Sequence, residues 1–184
     1  MLDAVFEFLA KVEGPILLWV QNWLRQDWLD GPVTVFSTLG NAGMLWLVLC
    51  ALMLIFPRTR RAGALGLAAL AMGFLLCNGL LKPLLHRARP WLVVEGLTHL
   101  VTPGDTHSFP SGHTCAAFAA AWTWRRQLPR RWMGHIGMVA AVLMGLSRLY
   151  LGVHFPTDVL AGAIVGIFAA WIMGKILGTS RKRR

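Results

Sequence analysis

The sequence predicts an all-α protein of one domain, an integral membrane bundle of about five transmembrane helices behind an amphipathic N-terminal segment. Three observations support this prediction. The 184-residue chain is 56% hydrophobic and only 14% charged, against roughly 25% charged residues in an average soluble domain. Its apolar residues form long uncharged runs, and its basic residues cluster between them. Because short basic connectors are typical of membrane proteins, the net charge of +10 does not indicate a nucleic-acid partner.

Residues 1–30 are predicted to form an amphipathic segment that lies in the membrane interface. Apolar residues are interrupted there by acidic and basic ones, and Gly14 and Pro15 break the pattern. Each charge near the bilayer centre costs roughly 2.5–3.5 kcal/mol on insertion scales, so several charges in one segment disfavour a crossing. A crossing within this segment is the alternative, and it would give six spans.

Residues 33–177 hold five apolar runs that form the predicted bundle. The run at 33–56 has 24 residues without a charge and would reach about 36 Å as one helix, which is enough to span a bilayer. Gly162 and Gly166 form a small-xxx-small pattern that predicts close helix packing inside the bundle. The remaining predicted spans are 62–81, 111–124, 132–146 and 156–177.

The basic clusters predict the orientation of the bundle. By parity, the connectors 57–61 and 125–131 fall on the same side as the C-terminal tail 178–184, and the positive-inside rule makes that side cytoplasmic. The polar loop 82–110 and the turn 147–155 then share the extracytoplasmic face. We therefore expect a multi-pass protein of the plasma or inner membrane, with its basic tail near anionic lipid.

Three polar clusters collect at this extracytoplasmic face and predict a phosphate-binding site. Lysine and arginine supply fixed positive charge, and arginine matches phosphate bidentately. Backbone N–H groups at the start of a helix also bind anions, and Ser111 and Gly112 lie at a predicted helix start. The clusters hold Lys82 and Arg89; Ser111, Gly112 and His113; and Arg148, His154 and Asp158.

Two histidines and one carboxylate supply the reactive groups. If the last helix starts near His154, Asp158 lies four residues further on the same face and can accept the proton-bearing ring nitrogen. The other nitrogen is then free to act as a nucleophile. We predict that His154 attacks phosphorus, that His113 protonates the leaving oxygen, and that water hydrolyses the phosphohistidine. This prediction includes no metal ion and no cofactor.

The same positions resemble the three motifs of the type 2 phosphatidic acid phosphatase family. The family pattern is K-x6-R-P, P-S-G-H and S-R-x5-H-x3-D, and it is matched at Lys82, Arg89, Pro90, Pro110, Ser111, Gly112, His113, Ser147, Arg148, His154 and Asp158. The resemblance implies a metal-independent phosphatase with His154 as nucleophile, His113 as acid and Asp158 as orienting carboxylate. It also implies phosphate binding by Lys82, Arg89, Ser111, Gly112 and Arg148.

The resemblance implies a lipid phosphate or diphosphate as substrate, and undecaprenyl diphosphate is our first expectation. Phosphatidylglycerophosphate and phosphatidic acid are the alternatives. A vanadium-dependent haloperoxidase, which the family also includes, is disfavoured by the five apolar runs. A non-catalytic lipid-phosphate binding or transport protein remains a different class of alternative, and the joint presence of His113, His154 and Asp158 favours catalysis over it.

The other polar residues are predicted to lie outside the site. Arg87 is expected to face lipid headgroups, Asp105 and His107 to belong to a solvated loop, and His135 to be structural. The three cysteines, spaced unlike metal ligands, are predicted to be buried free thiols: Cys50, Cys77 and Cys115.

Overall fold

A computed structural model describes residues 2–177, and the chain is helical through most of that range. The helices are α1 (Leu2–Trp19), α2 (Asp27–Leu39), α3 (Met44–Ile55), α4 (Arg60–Phe74), α5 (Lys82–Leu85), α6 (Pro90–Val93), α7 (Gly112–Gln127), α8 (Arg131–Tyr150) and α9 (Pro156–Ile176). Within the described residues, the only strand-like pairing is one isolated bridge between Ala88 and His107. The predicted all-α class is confirmed, and the basic tail at 178–184 lies outside the described residues.

Three helical stretches are long and apolar enough to cross a membrane, and they are Arg60–Leu85, Arg131–Tyr150 and Pro156–Ile176. The bent pair formed by α2 and α3 would make a fourth span. Large apolar side chains cover the outside of these helices; Ile136 and Ile164, for example, are more than half exposed. An apolar surface of this extent indicates contact with lipid rather than with water.

The predicted span at 33–56 is not one continuous helix. Helix α2 already begins at Asp27 and ends at Leu39, and α3 leaves it at an angle of 50°. The break contains Ala42 with φ 50° and Gly43 with φ 74°. Glycine adopts this left-handed conformation without steric cost, so the chain can turn here although no charge or proline marks the position. The prediction of a single straight helix was therefore wrong.

Helix α7 lies at the centre of the bundle and packs most extensively against α9, α8 and α4. Two glycines of α9 allow close approach to α7: a Cβ atom on Gly162 would overlap the Ser111 carbonyl oxygen, and one on Gly166 would overlap the Cys115 carbonyl oxygen. This confirms the predicted use of the two glycines for packing inside the bundle. The cysteines are buried free thiols, as predicted: Cys50, Cys77 and Cys115.

Helix α1 lies against the outer end of the bundle and differs from the spans in composition. It has 18 residues, includes four charged side chains, and is not one of the stretches apolar enough to cross a membrane. Leu17 packs with Leu97 and Phe155 in a small buried cluster. The segment after α1 is anchored by Arg25, whose Nε donates to the Tyr150 carbonyl oxygen at 2.8 Å. Residues 1–30 are thus joined firmly to the end of the bundle that carries the polar clusters.

Candidate active site

The three polar clusters meet in one cavity of about 1150 Å³. Lys82 lies near the end of the helical stretch Arg60–Leu85, His113 lies in the first turn of α7, and Arg148 lies in the last turn of α8. Because successive helices run in opposite directions, these positions fall at the same end of the bundle. The predicted site residues that line the cavity are Lys82, Arg89, Gly112, His113, Arg148 and His154.

The geometry around His154 defines the proton position on its ring. Arg89 Nη1 lies 3.0 Å from His154 Nε2, and a guanidinium has no acceptor, so Nε2 must carry the lone pair. The proton is then on Nδ1, which lies 3.5 Å from Asp158 Oδ2. Burial lowers the pKa of His154 well below its ordinary value, and the charges of Arg89 and Arg148 lower it further. The ring is therefore neutral, and its Nε2 lone pair accepts from Arg89.

Asp158 is held at the start of α9 on both of its carboxylate oxygens. Oδ2 accepts the backbone N–H of Phe155 at 2.8 Å, and Oδ1 accepts from Arg87 Nη1 at 2.6 Å.

The predicted exposure of Arg87 to headgroups was wrong. Its side chain is only 2% exposed, and its guanidinium lies 4.1 Å from the centre of the Phe155 ring. A cation-π contact and two carboxylates keep Arg87 inside the protein.

A carboxylate on the long loop pairs with two of the predicted phosphate ligands. Lys82 Nζ donates to Asp105 Oδ2 at 2.7 Å, and Arg89 Nη2 donates to Asp105 Oδ1. Burial alone would raise the pKa of Asp105, but Lys82 and Arg89 together lower it. Asp105 does lie in a solvated loop, as expected, with its side chain 48% exposed, but the sequence did not reveal that it pairs with two buried cations.

The third cation, Arg148, is 3% exposed and reaches across the site to α2. Its Nη1 donates to Ser37 Oγ. Among the described residues, the buried Nε atoms of Arg89 and Arg148 have no hydrogen-bond partner. Both arginines line the cavity, and their fixed positive charges attract an anion there.

His113 is contacted by a residue from the break between α2 and α3. Its Nε2 donates to Asn41 Oδ1 at 2.9 Å, and Asn41 also lines the cavity. Sequence reasoning missed both Asn41 and Ser37, since the uncharged run around them was interpreted only as a span. The Gly40-Asn41-Ala42-Gly43 tetrapeptide, typical of a turn, was the available signal.

Ser111 lies in a different environment from the one expected. It is fully buried and does not line the cavity. Its Oγ accepts from Thr114 Oγ1 at 3.0 Å and caps α7, while its backbone N–H donates to the Asp158 carbonyl oxygen at 3.0 Å. That N–H is therefore not directed at an anion in the cavity. Gly112 does line the cavity, and a Cβ there would come within 3.0 Å of Asn78 Oδ1, which explains the glycine.

The family model of the PAP2 superfamily matches residues 61–182, and the chain belongs to this superfamily. A relative named undecaprenyl-diphosphatase, from Sulfolobus acidocaldarius, is 34% identical over 159 residues, which cover 86% of this chain and 75% of that protein. The membership implied by the sequence motifs is thereby confirmed.

Two solved structures share the fold at 30% identity. LpxE from Aquifex aeolicus superposes with a TM-score of 0.77, over 89% of this chain and 95% of that one. The transmembrane PAP2 type phosphatidylglycerolphosphate phosphatase from Bacillus subtilis superposes with a TM-score of 0.75, over 100% of this chain and 97% of that one. The integral membrane helical bundle predicted from the apolar runs is the fold of this chain.

Proposed function

We propose that this chain is a membrane lipid phosphatase that works through a phosphohistidine at His154 and needs no metal ion. The observation that carries the proposal is the placement of the His154 ring between Arg89 and Asp158. Nε2 holds a lone pair directed at Arg89, and Nδ1 faces Asp158. A neutral, oriented imidazole beside fixed cations is what nucleophilic attack on a phosphate requires.

The reaction has two chemical steps. In the first, His154 Nε2 bonds to phosphorus, the bond from phosphorus to the leaving oxygen breaks, and His113 gives that oxygen a proton. In the second, water attacks the phosphohistidine while His113 accepts a proton from it, and the P–N bond breaks to release phosphate. Lys82, Arg89 and Arg148 neutralise the charge on the phosphoryl oxygens in both steps.

His113 must carry a proton when the first step begins. Burial first, and then the nearby cations Arg148, Lys82 and Arg89, disfavour a positive charge on its ring. A bound phosphate anion offsets those cations, so substrate binding itself would prepare the acid. Asn41, which accepts from His113 Nε2, orients the ring for this transfer.

An amphiphilic substrate fits the lining of the cavity. The reactive end is polar, whereas the wall formed by α3, α4 and the following π-helical turn is apolar and includes Leu47, Leu67, Leu70, Phe74 and Leu75. We propose undecaprenyl diphosphate as the substrate, in keeping with the relative named undecaprenyl-diphosphatase. Phosphatidylglycerophosphate and phosphatidic acid are the alternatives. The site would face the extracytoplasmic side of the plasma membrane, opposite the basic connectors.

Phosphate release by the purified protein in detergent tests this proposal. The three lipids are offered separately in excess EDTA, and His154→Ala is compared with the wild type. We expect metal-independent release by the wild type and a loss of at least about 1000-fold in the variant. His135→Ala is the matched control, since His135 is exposed and lies in α8 nearer its far end.

Three outcomes would contradict the proposal. Release that EDTA abolishes would rule out the metal-free mechanism. Equal release by His154→Ala and the wild type would exclude His154 as the nucleophile, and an absence of release from every lipid would favour a binding or transport protein built on this fold.

A further inference from the structure

A buried chain of charges connects the N-terminal helix to the proposed catalytic carboxylate. Arg87 Nη1 donates to Asp158 Oδ1 at 2.6 Å, and Arg87 Nη2 donates to Glu13 Oε2 at 2.6 Å. Glu13 is 4% exposed and Asp158 is fully buried. Arg87 thus bridges a carboxylate from α1 and the carboxylate that faces His154.

A second set of contacts fixes Glu13 to the start of α9. Glu13 Oε1 accepts the backbone N–H of Thr157 at 2.7 Å, and Oε2 accepts from Thr157 Oγ1 at 2.9 Å. Thr157 Oγ1 in turn accepts from Arg87 Nη1 at 2.7 Å. Because Thr157 directly precedes Asp158, these bonds hold the turn that carries the carboxylate.

Glu13 is a buried acidic residue in an amphipathic helix, where charged residues usually face the solvent. Exposed apolar residues cover much of α1, whereas the acidic side chain of Glu13 is buried. Burying a carboxylate is unfavourable unless it is paired and hydrogen-bonded, and an apolar side chain of similar volume often serves stability as well. A purely structural role therefore does not account for a charge at this position.

The charge balance supplies a reason. Arg87 alone would neutralise Asp158, but two carboxylates and one guanidinium leave one net negative charge beside His154. The other charged groups near His154 are the cations Arg89, Arg148 and Lys82 and the carboxylate Asp105. A net negative charge on the Nδ1 side stabilises the positive charge that develops on the ring when Nε2 bonds to phosphorus.

We propose that Glu13 and Arg87 are positioning residues that act through Asp158 on His154, so that α1 is a functional part of the active site. The proposal rests on the proposed function of His154 and Asp158. Glu13 lies outside residues 61–182, which the superfamily model matches. Glu13 and Arg87 touch no reacting atom, and we expect them to influence the transition state rather than the binding of substrate.

Comparing Glu13→Gln with the wild type, as full-length protein in detergent, tests this inference. Glutamine keeps the shape and removes the charge, so we expect kcat to fall about 10-fold to 100-fold and KM to change little. Orthovanadate bonds to the nucleophile and mimics the transition state. Its inhibition constant should therefore rise by about the same factor as kcat falls. The inhibition constant of inorganic phosphate should stay unchanged.

Two further variants on the same helix serve as controls. Glu7→Gln makes the same chemical change at an exposed position of α1 and should behave as the wild type. Glu13→Asp keeps the charge and should recover part of the lost kcat.

If Glu13→Gln yields no folded protein, Arg87→Lys takes its place in the test. Lysine keeps the positive charge but does not form the bidentate bridge, so we expect the same loss of kcat with little change in KM.

The outcomes separate this inference from the proposed function. A folded Glu13→Gln or Arg87→Lys with wild-type kcat would overturn the positioning role, and so would equal changes in vanadate and phosphate inhibition. If His154→Ala is inactive while these variants are normal, the inference alone fails. If His154→Ala stays active, the proposed function fails and takes the inference with it.

Discussion

Asp105 binds the two cations, Lys82 and Arg89, that the family motif assigns to phosphate. In the proposed mechanism, a substrate phosphate would have to replace this carboxylate on both cations before His154 attacks it. Asp105→Asn removes the competing charge, so we expect KM and the inhibition constant of inorganic phosphate to fall roughly threefold to tenfold, the range for a partly exposed ion pair. Steady-state kinetics with phosphate as a competitive inhibitor measure both values.

Glu95→Gln is the control for this change, since Glu95 is an exposed acidic residue of the same loop. It should leave KM and phosphate inhibition as they are. A higher KM in Asp105→Asn would mean that Asp105 helps to hold the substrate rather than competing with it.

The protonation of His154 sets the acid limb of the pH profile. Burial, Arg89 and Arg148 lower the pKa of His154 well below its ordinary value, so the neutral nucleophile persists as the pH falls. We expect the acid limb of kcat/KM to lie below the ordinary histidine pKa of about 6.5. Arg89→Gln removes one lowering charge and should move the limb to higher pH. Profiles measured from about pH 4 to pH 8 test both points, and an acid limb at or above 6.5 in the wild type would contradict them.

The contact between α7 and α9 depends on glycine at a single crossing point. A Cβ on Gly166 would overlap backbone atoms of Cys115 and Ala119, and backbone has little freedom to move aside. We expect Gly166→Ala to destabilise the bundle by about 1–3 kcal/mol, the usual cost of overpacking. Thermal unfolding in detergent measures the change.

Gly31→Ala provides the comparison for Gly166→Ala, because an added Cβ at Gly31 in α2 meets nothing within 4 Å. This variant should melt at or slightly above the temperature of the wild type. Equal melting of the two variants would show that α7 and α9 tolerate a wider separation.

The sequence predicted the straight helices well and the broken one poorly. The runs at 132–146 and 156–177 became Arg131–Tyr150 and Pro156–Ile176, because local hydropathy decides which segments enter lipid. The break after Leu39 depends on left-handed residues packed against α7, where a Cβ on Gly43 would lie 3.3 Å from Ala116 Cβ. No local pattern of charge marks such a contact.

The same distinction applies to the site residues. The motif positions could be named because their spacing is fixed along the chain. Glu13 and Arg87, in contrast, are 74 positions apart, and Asn41 and His113 are 72 apart. Sequence patterns in one chain do not reveal which distant segments meet, so these partners appear only when the bundle is assembled.

The orientation of the whole molecule can be tested with single added cysteines. The native cysteines are buried and should give little background. We expect a membrane-impermeant maleimide to label Gly104→Cys in intact spheroplasts and Pro57→Cys only after permeabilisation, since the basic connectors favour the cytoplasm. Both positions are exposed, and neither change removes a basic residue. The reverse labelling pattern would place the site on the cytoplasmic side.

The hydrogen bonds between Glu13 and Thr157 join residues 144 positions apart, and this separation has a consequence for the newly made protein. A ribosome releases α1 early and α9 last, so Asp158 gains its full set of partners only after the final helix has entered the bilayer. A nascent or truncated chain that lacks α9 holds the cations and His154 but has no Asp158 to face the His154 ring. In the proposed mechanism, hydrolysis would therefore begin only after α9 has been made and inserted into the bilayer.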